Sequence, residues 1–204
     1  MKITRTDAAS HSLTRSANCD GRYGAALFAV LALLLGLCTL GERGRMALRY
    51  QREPLAHGQW WRLLSAHLVH LNLTHALLNC AGLVLLWMLF AREYTPRRWA
   101  WILLASTLAI DAGLWFLRPL IDWYVGASGV LHGALAAGAL AMYRRRDGTG
   151  AAVLLFLIVK LAYEQHSGAS LFASDLPLLP DAHVFGVFGG LLGAWLPRPA
   201  AKPL

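Results

Sequence analysis

Six runs of apolar residues, each close to the length that crosses a lipid bilayer, dominate this 204-residue chain. They cover residues 23–40, 67–90, 99–117, 128–143, 149–163 and 182–196. A helix needs about 20 apolar residues to cross a hydrocarbon core about 30 Å thick, and in lipid the backbone must satisfy its own hydrogen bonds. The pattern therefore predicts an all-α polytopic membrane protein with six transmembrane helices.

The composition excludes two other classes of protein. Apolar residues make up 57% of the chain and charged residues only 15%, which excludes a soluble globular domain and a disordered chain. The net charge of +8 would suggest a nucleic-acid partner if the protein were soluble. Here the basic residues flank apolar runs, so we expect membrane lipids and no nucleic acid as partners.

The distribution of Lys and Arg predicts the orientation. With a cytoplasmic N-terminus, twelve of these residues lie inside and six outside, so the positive-inside rule favours two cytoplasmic termini. We expect a cytoplasmic tail (residues 1–22), a membrane domain (23–196) and a second cytoplasmic tail (197–204). No cleavage site follows the first run, which indicates a retained signal anchor.

The first outer loop, residues 41–66, departs from this rule because it holds five arginines. It is also amphipathic, with Gln59, Trp60, Trp61 and Arg62 in succession. We expect it to lie in the outer headgroup layer, where arginine side chains can extend to anionic lipid.

A serine at the start of the fourth run is the candidate nucleophile. Ser128 stands between Gly126 and Gly129, which lack side chains and so leave the backbone around its hydroxyl uncovered. His132 lies one turn below Ser128 on the same helix face. A lone serine in a membrane helix usually bonds the carbonyl one turn back. Its surroundings favour a catalytic serine.

The sixth run supplies a candidate base, His183. Gly186, Gly190 and Ala194 form a stripe of small residues at the spacing of a matching stripe in the fourth run, Gly129, Gly133 and Ala137. Small residues let two membrane helices approach closely. Packing one stripe on the other would place Ser128 beside His183, because both runs start at the outer face.

The second run supplies His75 and Asn79, one turn apart on one helix face. Both side chains can donate hydrogen bonds to an anionic oxygen, although they could equally hold helices together. A nucleophile, a base and two donors at one depth are what acyl transfer requires. Since no carboxylate is positioned by sequence to orient His183, we expect a Ser–His dyad and not a triad.

These residues resemble the rhomboid intramembrane serine proteases, from the first run to the sixth. The resemblance rests on Trp61-Arg62, His70, His75 with Asn79, Gly126-x-Ser128-Gly129, and His183 followed by Gly186-x-x-x-Gly190. It implies a six-helix core with a water-filled site open to the outer face. It also implies Ser128 as nucleophile, His183 as base, and His75 with Asn79 lining the oxyanion hole.

Within that family the chain looks most like the rhombosortase branch. The segments GASGVLHG and HLVHLNLTHALLN carry this likeness, and His132 stands where many rhomboids have an aromatic residue. The likeness implies substrates with a C-terminal Gly-Gly motif, one transmembrane helix and a basic tail, in bacteria with an outer membrane. The expected location is therefore the inner membrane.

Other polar residues in the runs receive structural interpretations. Lys160 and Glu164, four residues apart, are expected to form a pair that snorkels to the outer interface. Asp111 could cap a helix, pair with an arginine or bond across helices. The segment 167–180 is expected to form a mobile cap over the site.

Two other functions stay open. Eight histidines, several within runs, could supply axial ligands in a haem-binding membrane anchor. A non-catalytic rhomboid relative could bind membrane clients, although such relatives generally lack the serine and histidine. Without a His-Glu-x-x-His motif or paired intramembrane aspartates, we expect no metal and no cofactor.

Overall fold

Residues 21–168 and 179–195 are described by the structure, a computed structural model of the chain. In chain order the elements are α1 (Gly24–Cys38), α2 (Gly41–Leu48), β1 (Tyr50–Gln51), α3 (Arg52–Ala56), α4 (Arg62–Ser65), α5 (Leu73–Phe90), α6 (Pro96–Ala112), β2 (Trp123–Tyr124), α7 (Ser128–Arg144), α8 (Gly148–Ser167) and α9 (Pro180–Trp195). A π-helical turn, Gly113–Leu117, extends α6. The described part is helical apart from loops and one antiparallel ladder between β1 and β2, which confirms the predicted helical class.

Several helices are long and apolar enough to cross a membrane. In the described part of the chain, α5, α6 with its π-helical turn, and α8 meet both conditions, at 18, 22 and 20 residues. Helices α1 and α2 meet them together as a pair bent by 112°. Helices α7 and α9 have 17 and 16 residues. The chain is therefore an α-helical membrane protein with three such helices, or four when the bent pair is included.

The helices are apolar on the outside and closely packed by small residues inside. Phe28, Leu85, Leu108 and Leu155 are exposed, each on a different helix. In contrast, the buried residues of α7 are glycine, alanine and one methionine, Met142. Lipid replaces water around such a surface, so close packing and not hydrophobic burial holds the helices together.

Helices α7 and α9 cross at the predicted glycine stripes. A Cβ atom added to Gly186 would touch the carbonyl group of Gly129, and one added to Gly190 would touch that of Gly133. Helix α6 packs against both helices, α5 and α8 pack against α7, and α1 packs against α5. The predicted contact between the two stripes is confirmed, and it brings the starts of α7 and α9 together.

The predicted start of the second span at residue 67 is wrong, because α5 begins at Leu73. Asn72 has extended backbone angles, and its side-chain oxygen accepts a hydrogen bond from the backbone N–H of His75 at 2.9 Å. Asn72 is therefore the N-cap residue, and the helix begins directly after it. His67 and His70 therefore lie in the loop that leads into α5.

The first loop folds through its arginines. The buried Arg62 donates hydrogen bonds to the carbonyl oxygens of Met46 and Arg49, at 2.9 and 2.8 Å. Arg52 donates to the carbonyls of Leu114 and Trp115 in the π-helical turn. The expectation that the loop's arginines reach lipid is therefore wrong for Arg62, because its guanidinium satisfies backbone carbonyls that would otherwise be buried unpaired.

Candidate active site

Ser128 is the first residue of α7, and the turn before it is tightly constrained. Gly126 has a φ of +118°, in the region that favours glycine, and a Cβ there would lie 2.8 Å from the His75 ring. The hydroxyl of Tyr124 donates a hydrogen bond to the carbonyl oxygen of Gly126 at 2.7 Å. Sequence reasoning missed Tyr124, which fixes the chain two residues before Ser128.

The structure brings Ser128 and His183 together. The Oγ atom of Ser128 lies 3.0 Å from Nε2 of His183, in the first turn of α9. Gly129 allows this approach, because a Cβ at that position would lie 2.7 Å from the carbonyl oxygen of Ala182. The predicted supporting glycines Gly129, Gly186 and Gly190 thus all lie at the crossing that sets this distance.

His132 stacks on His183. The two ring centroids are 4.0 Å apart and the planes differ by 13°. Nδ1 of His132 donates a hydrogen bond to the carbonyl oxygen of Ser128 at 2.7 Å, one turn back on α7. The His132 ring therefore limits how far the His183 ring can tilt on that side.

A carboxylate from α8 contacts His183, whereas the sequence positioned no carboxylate beside this histidine. Nδ1 of His183 lies 2.9 Å from an oxygen of Glu164. The other oxygen of Glu164 accepts a hydrogen bond from the Lys160 ammonium, which also lies 2.8 Å from Nε2 of His132.

The expectation that Lys160 and Glu164 snorkel to the outer interface is wrong, because both side chains are buried. They form the predicted pair, but their side chains are only 8% and 0% exposed. Both side chains point into the protein towards His132 and His183, and neither extends along its surface.

Of the two predicted oxyanion residues, His75 lies against the turn that precedes Ser128, and Asn79 lies one turn further along α5. Asn79 is buried and uses one side-chain N–H to donate to the carbonyl of His75 at 2.9 Å. The His75 ring packs against Gly126, and its Nδ1 has no hydrogen-bond partner among the described residues.

His70 contacts the His75 ring edge-on, with centroids 5.0 Å apart. Burial, with a smaller contribution from the neighbouring His75, lowers the pKa of His70 to about 4. His70 is therefore neutral at neutral pH and acts as packing behind His75.

Arg62 and Asp111 form their hydrogen bonds with other parts of the chain. Arg62 belongs to the first loop, as described above. Asp111 accepts a hydrogen bond from His67 at 3.3 Å, so its carboxylate bonds across elements, one of its three expected roles. Most of the expected cap, residues 169–178, lies outside the described residues.

Among the described residues, His132 and His183 are too close together to hold a haem between them, and a neighbouring cation opposes metal binding at this cluster. His132, Glu164 and His183 place three ligand atoms within 4.8 Å of one another. The Lys160 ammonium contacts two of these residues, so its charge repels a metal cation there. Stacked rings 4.0 Å apart also leave no room for a macrocycle between His132 and His183.

A serine hydroxyl paired with a histidine whose far nitrogen meets a carboxylate is the apparatus of serine hydrolases. Here it lies among the helices of a membrane protein. The family model for the rhomboid domain matches residues 57–199, about 70% of the chain, so the chain belongs to the rhomboid family and is a serine-type intramembrane protease.

Two relatives in Bacillus subtilis (strain 168) agree with this assignment. YdcA, which carries a rhomboid protease name, is 28% identical over 142 residues, covering 70% of this chain and 69% of YdcA. Rhomboid protease GluP is 27% identical over 150 residues, covering 71% of this chain and only 27% of GluP. The chain is thus similar to one relative of comparable length and to a part of a longer one.

Proposed function

We propose that Ser128 is the nucleophile and His183 the general base of an intramembrane endopeptidase. The observation that carries this proposal is the 3.0 Å contact between Ser128 Oγ and His183 Nε2, with Glu164 on the other ring nitrogen. A serine hydroxyl is a weak nucleophile until a neutral imidazole accepts its proton. The contact supports His183 as that imidazole.

The proposed reaction has two stages, acylation of Ser128 and hydrolysis of the acyl-ester. Ser128 Oγ attacks the scissile carbonyl carbon while its proton passes to Nε2 of His183. The tetrahedral intermediate collapses, the C–N bond breaks, and His183 returns the proton to the leaving amine. A water molecule, deprotonated by His183, then attacks the acyl-ester and releases the new C-terminus with Ser128 restored.

We propose that the oxyanion is bound by the side chains of His75 and Asn79 and by the backbone N–H of Ser128. The first hydrogen bond of the α7 ladder runs from Leu131 to Ala127, so the Ser128 N–H is not used by the helix. The N-terminus of a helix also favours negative charge. Each well-placed donor contributes roughly 2.7–4 kcal/mol to lowering such a barrier.

The chain is proposed to cross the membrane six times, with both termini in the cytoplasm of a bacterium that has an outer membrane. Helix α7 would then be about 25 Å long at a rise of 1.5 Å per residue, short enough to place Ser128 below the outer surface. A reporter fused after Arg146 should score cytoplasmic. A periplasmic score would contradict the six-span arrangement.

The proposed substrates are single-span proteins with Gly-Gly at the outer boundary and a basic cytoplasmic tail. The scissile bond must reach Ser128 in an extended form, because a helical peptide engages its carbonyls in its own hydrogen bonds. Glycine makes this unwinding easier by about 1 kcal/mol per residue relative to alanine.

The test is co-expression with such a substrate, followed by mass measurement of the new C-terminus. Cleavage should occur with the wild-type chain, should be absent with Ser128→Ala, and should fall when leucine replaces the two glycines. Undiminished cleavage of the leucine substrate would contradict the Gly-Gly specificity, and equal cleavage by Ser128→Ala would contradict the proposed nucleophile. A product heavier than hydrolysis allows would indicate that an amine, and not water, resolves the acyl-ester.

A further inference from the structure

Two charged side chains of α8 enter the group around Ser128 from the side opposite the serine. Lys160 and Glu164 lie one helical turn apart, and both are buried. Removing charged groups from water is costly unless each charge is paired and hydrogen-bonded. Among the described residues, the hydrogen bonds that the pair makes outside α8 go to His132 and His183, so interactions with these two rings offset the cost.

The hydrogen bonds fix the position of every proton in the network. A carbonyl oxygen can only accept, so His132 carries its proton on Nδ1, which faces the Ser128 carbonyl. Its Nε2 therefore accepts from the Lys160 ammonium. Lys160 also donates to one oxygen of Glu164, so the other oxygen of an ionised Glu164 accepts from Nδ1–H of His183. Nε2 of His183 then carries a lone pair directed at the Ser128 hydroxyl.

We propose that Glu164 is a positioning residue that holds His183 in the tautomer able to accept the serine proton, and that Lys160 keeps Glu164 ionised and correctly oriented. The inference rests on the proposed roles of Ser128 and His183 and deepens them. The proposed catalytic group is a Ser128–His183–Glu164 triad supported by Lys160 and His132. It is assembled from α7, α8 and α9, so the three helices must be docked together for the serine to be activated.

This arrangement also matches the change of charge during the reaction. When His183 accepts the serine proton it becomes a cation, and the adjacent Glu164 carboxylate stabilises that cation. The stacked His132 is neutral because its Nε2 accepts a hydrogen bond, so it adds no repulsive charge beside the imidazolium. Before the reaction, Lys160 compensates the carboxylate, which leaves no unpaired negative charge in the interior.

The substitution Glu164→Gln tests the tautomer directly because the amide has the same size and no charge. The Lys160 ammonium will attract the amide oxygen, which turns the amide NH₂ towards Nδ1 of His183. That nitrogen must then accept, so the His183 proton moves to Nε2 and the ring cannot deprotonate Ser128. The corresponding change in soluble serine proteases lowers kcat about 10⁴-fold, and we expect a loss of that order here with little change in KM.

The double variant Lys160→Met with Glu164→Gln separates a positioning role from a structural one. Without the ammonium, the amide can turn its oxygen towards His183, so the double variant should recover at least about tenfold over Glu164→Gln alone. A structural role predicts the reverse, because two buried changes would add. The single variant Lys160→Met is the matched control, and thermal unfolding in detergent reports on folding in each case.

Nitrogen NMR of the wild-type protein with ¹⁵N-labelled histidine reports which ring nitrogen of His183 carries the proton. This measurement does not depend on whether a Glu164 variant folds. The proposal requires His183 to be protonated at Nδ1 and bare at Nε2. A wild-type rate for Glu164→Gln, no recovery in the double variant, or protonated Nε2 in His183 at neutral pH would each overturn it. If Ser128→Ala is inactive while Glu164→Gln is active, only the triad fails; activity in Ser128→Ala would instead refute the proposed nucleophile.

Discussion

Substituting alanine for Gly186 should separate α7 from α9 and reduce activity. Alanine normally stabilises a helix interior by about 1 kcal/mol relative to glycine. At this position the added Cβ would lie 2.6 Å from the carbonyl carbon of Gly129, whereas non-bonded carbons prefer about 3.5 Å or more. The Gly129 carbonyl belongs to the backbone of α7, and the new Cβ is fixed to the backbone of α9. Neither can turn aside, so the helices must move apart by about 1 Å. We expect a loss of about 1–3 kcal/mol in stability from such overpacking.

The same displacement lengthens the contact between Ser128 and His183. A misplacement of about 1 Å in an active site can reduce the rate about 10²-fold, and we expect a loss of this size in the initial rate on a single-span substrate in detergent. Gly82→Ala is the matched control, since among the described residues its Cβ would meet only Leu131, at an ordinary 3.5 Å. If Gly186→Ala is as stable and as active as Gly82→Ala, the argument that glycine contact sets the catalytic distance is refuted.

Two further predictions concern the residues that contact His75. Asn79→Ala should lower kcat by about 10²–10³-fold without abolishing cleavage, because other donors to the oxyanion remain; complete loss in a folded variant would contradict a shared oxyanion site. His70 has a pKa of about 4 in the folded protein and an ordinary value of 6.5, so its contribution to stability is present above pH 6.5 and is lost as the pH falls towards 4. At pH 5 the loss in the free energy of unfolding is about 2 kcal/mol. Unfolding measurements at pH 8 and pH 5 should show this loss in the wild type and not in His70→Leu. Equal pH dependence of the two proteins would refute the lowered pKa of His70.

The sequence predicts the helices well because span length and apolar character are local properties. Each predicted span overlaps one observed helix among the described residues, and the largest difference is the start of α5. That difference has a local cause, since residues 67–72 are apolar enough to continue the run while Asn72 caps the helix. Reading Asn72 as an N-cap would have corrected the boundary.

The juxtaposition of Ser128 and His183 was predictable for a different reason. Two stripes of small residues with equal spacing define which faces of α7 and α9 meet, and the histidine lies one turn before its stripe. The structure places these side chains 3.0 Å apart. Small residues at a crossing therefore carry long-range information that apolar length alone does not.

The sequence does not reveal Glu164 so easily, because α8 is apolar around most of its circumference. A Lys and a Glu four residues apart are equally consistent with a surface pair, and the rotation of α8 about its axis decides between the two. That rotation is set by packing against α7 and α9, which no pattern within α8 specifies. The depth of Glu164, near the same membrane face as the starts of α7 and α9, was the one available signal.

The most direct measurement of the central claim is the mass of the protein after reaction with a fluorophosphonate. This reagent forms a stable phosphonyl ester with a serine whose hydroxyl has lost its proton to a neighbouring base. The account predicts one adduct, on the peptide that contains Ser128, and a labelling rate lower by about 10²–10⁴-fold in His183→Ala. A cleavage-competent protein that carries no adduct on Ser128, or that labels Ser128 equally fast without His183, would contradict the account.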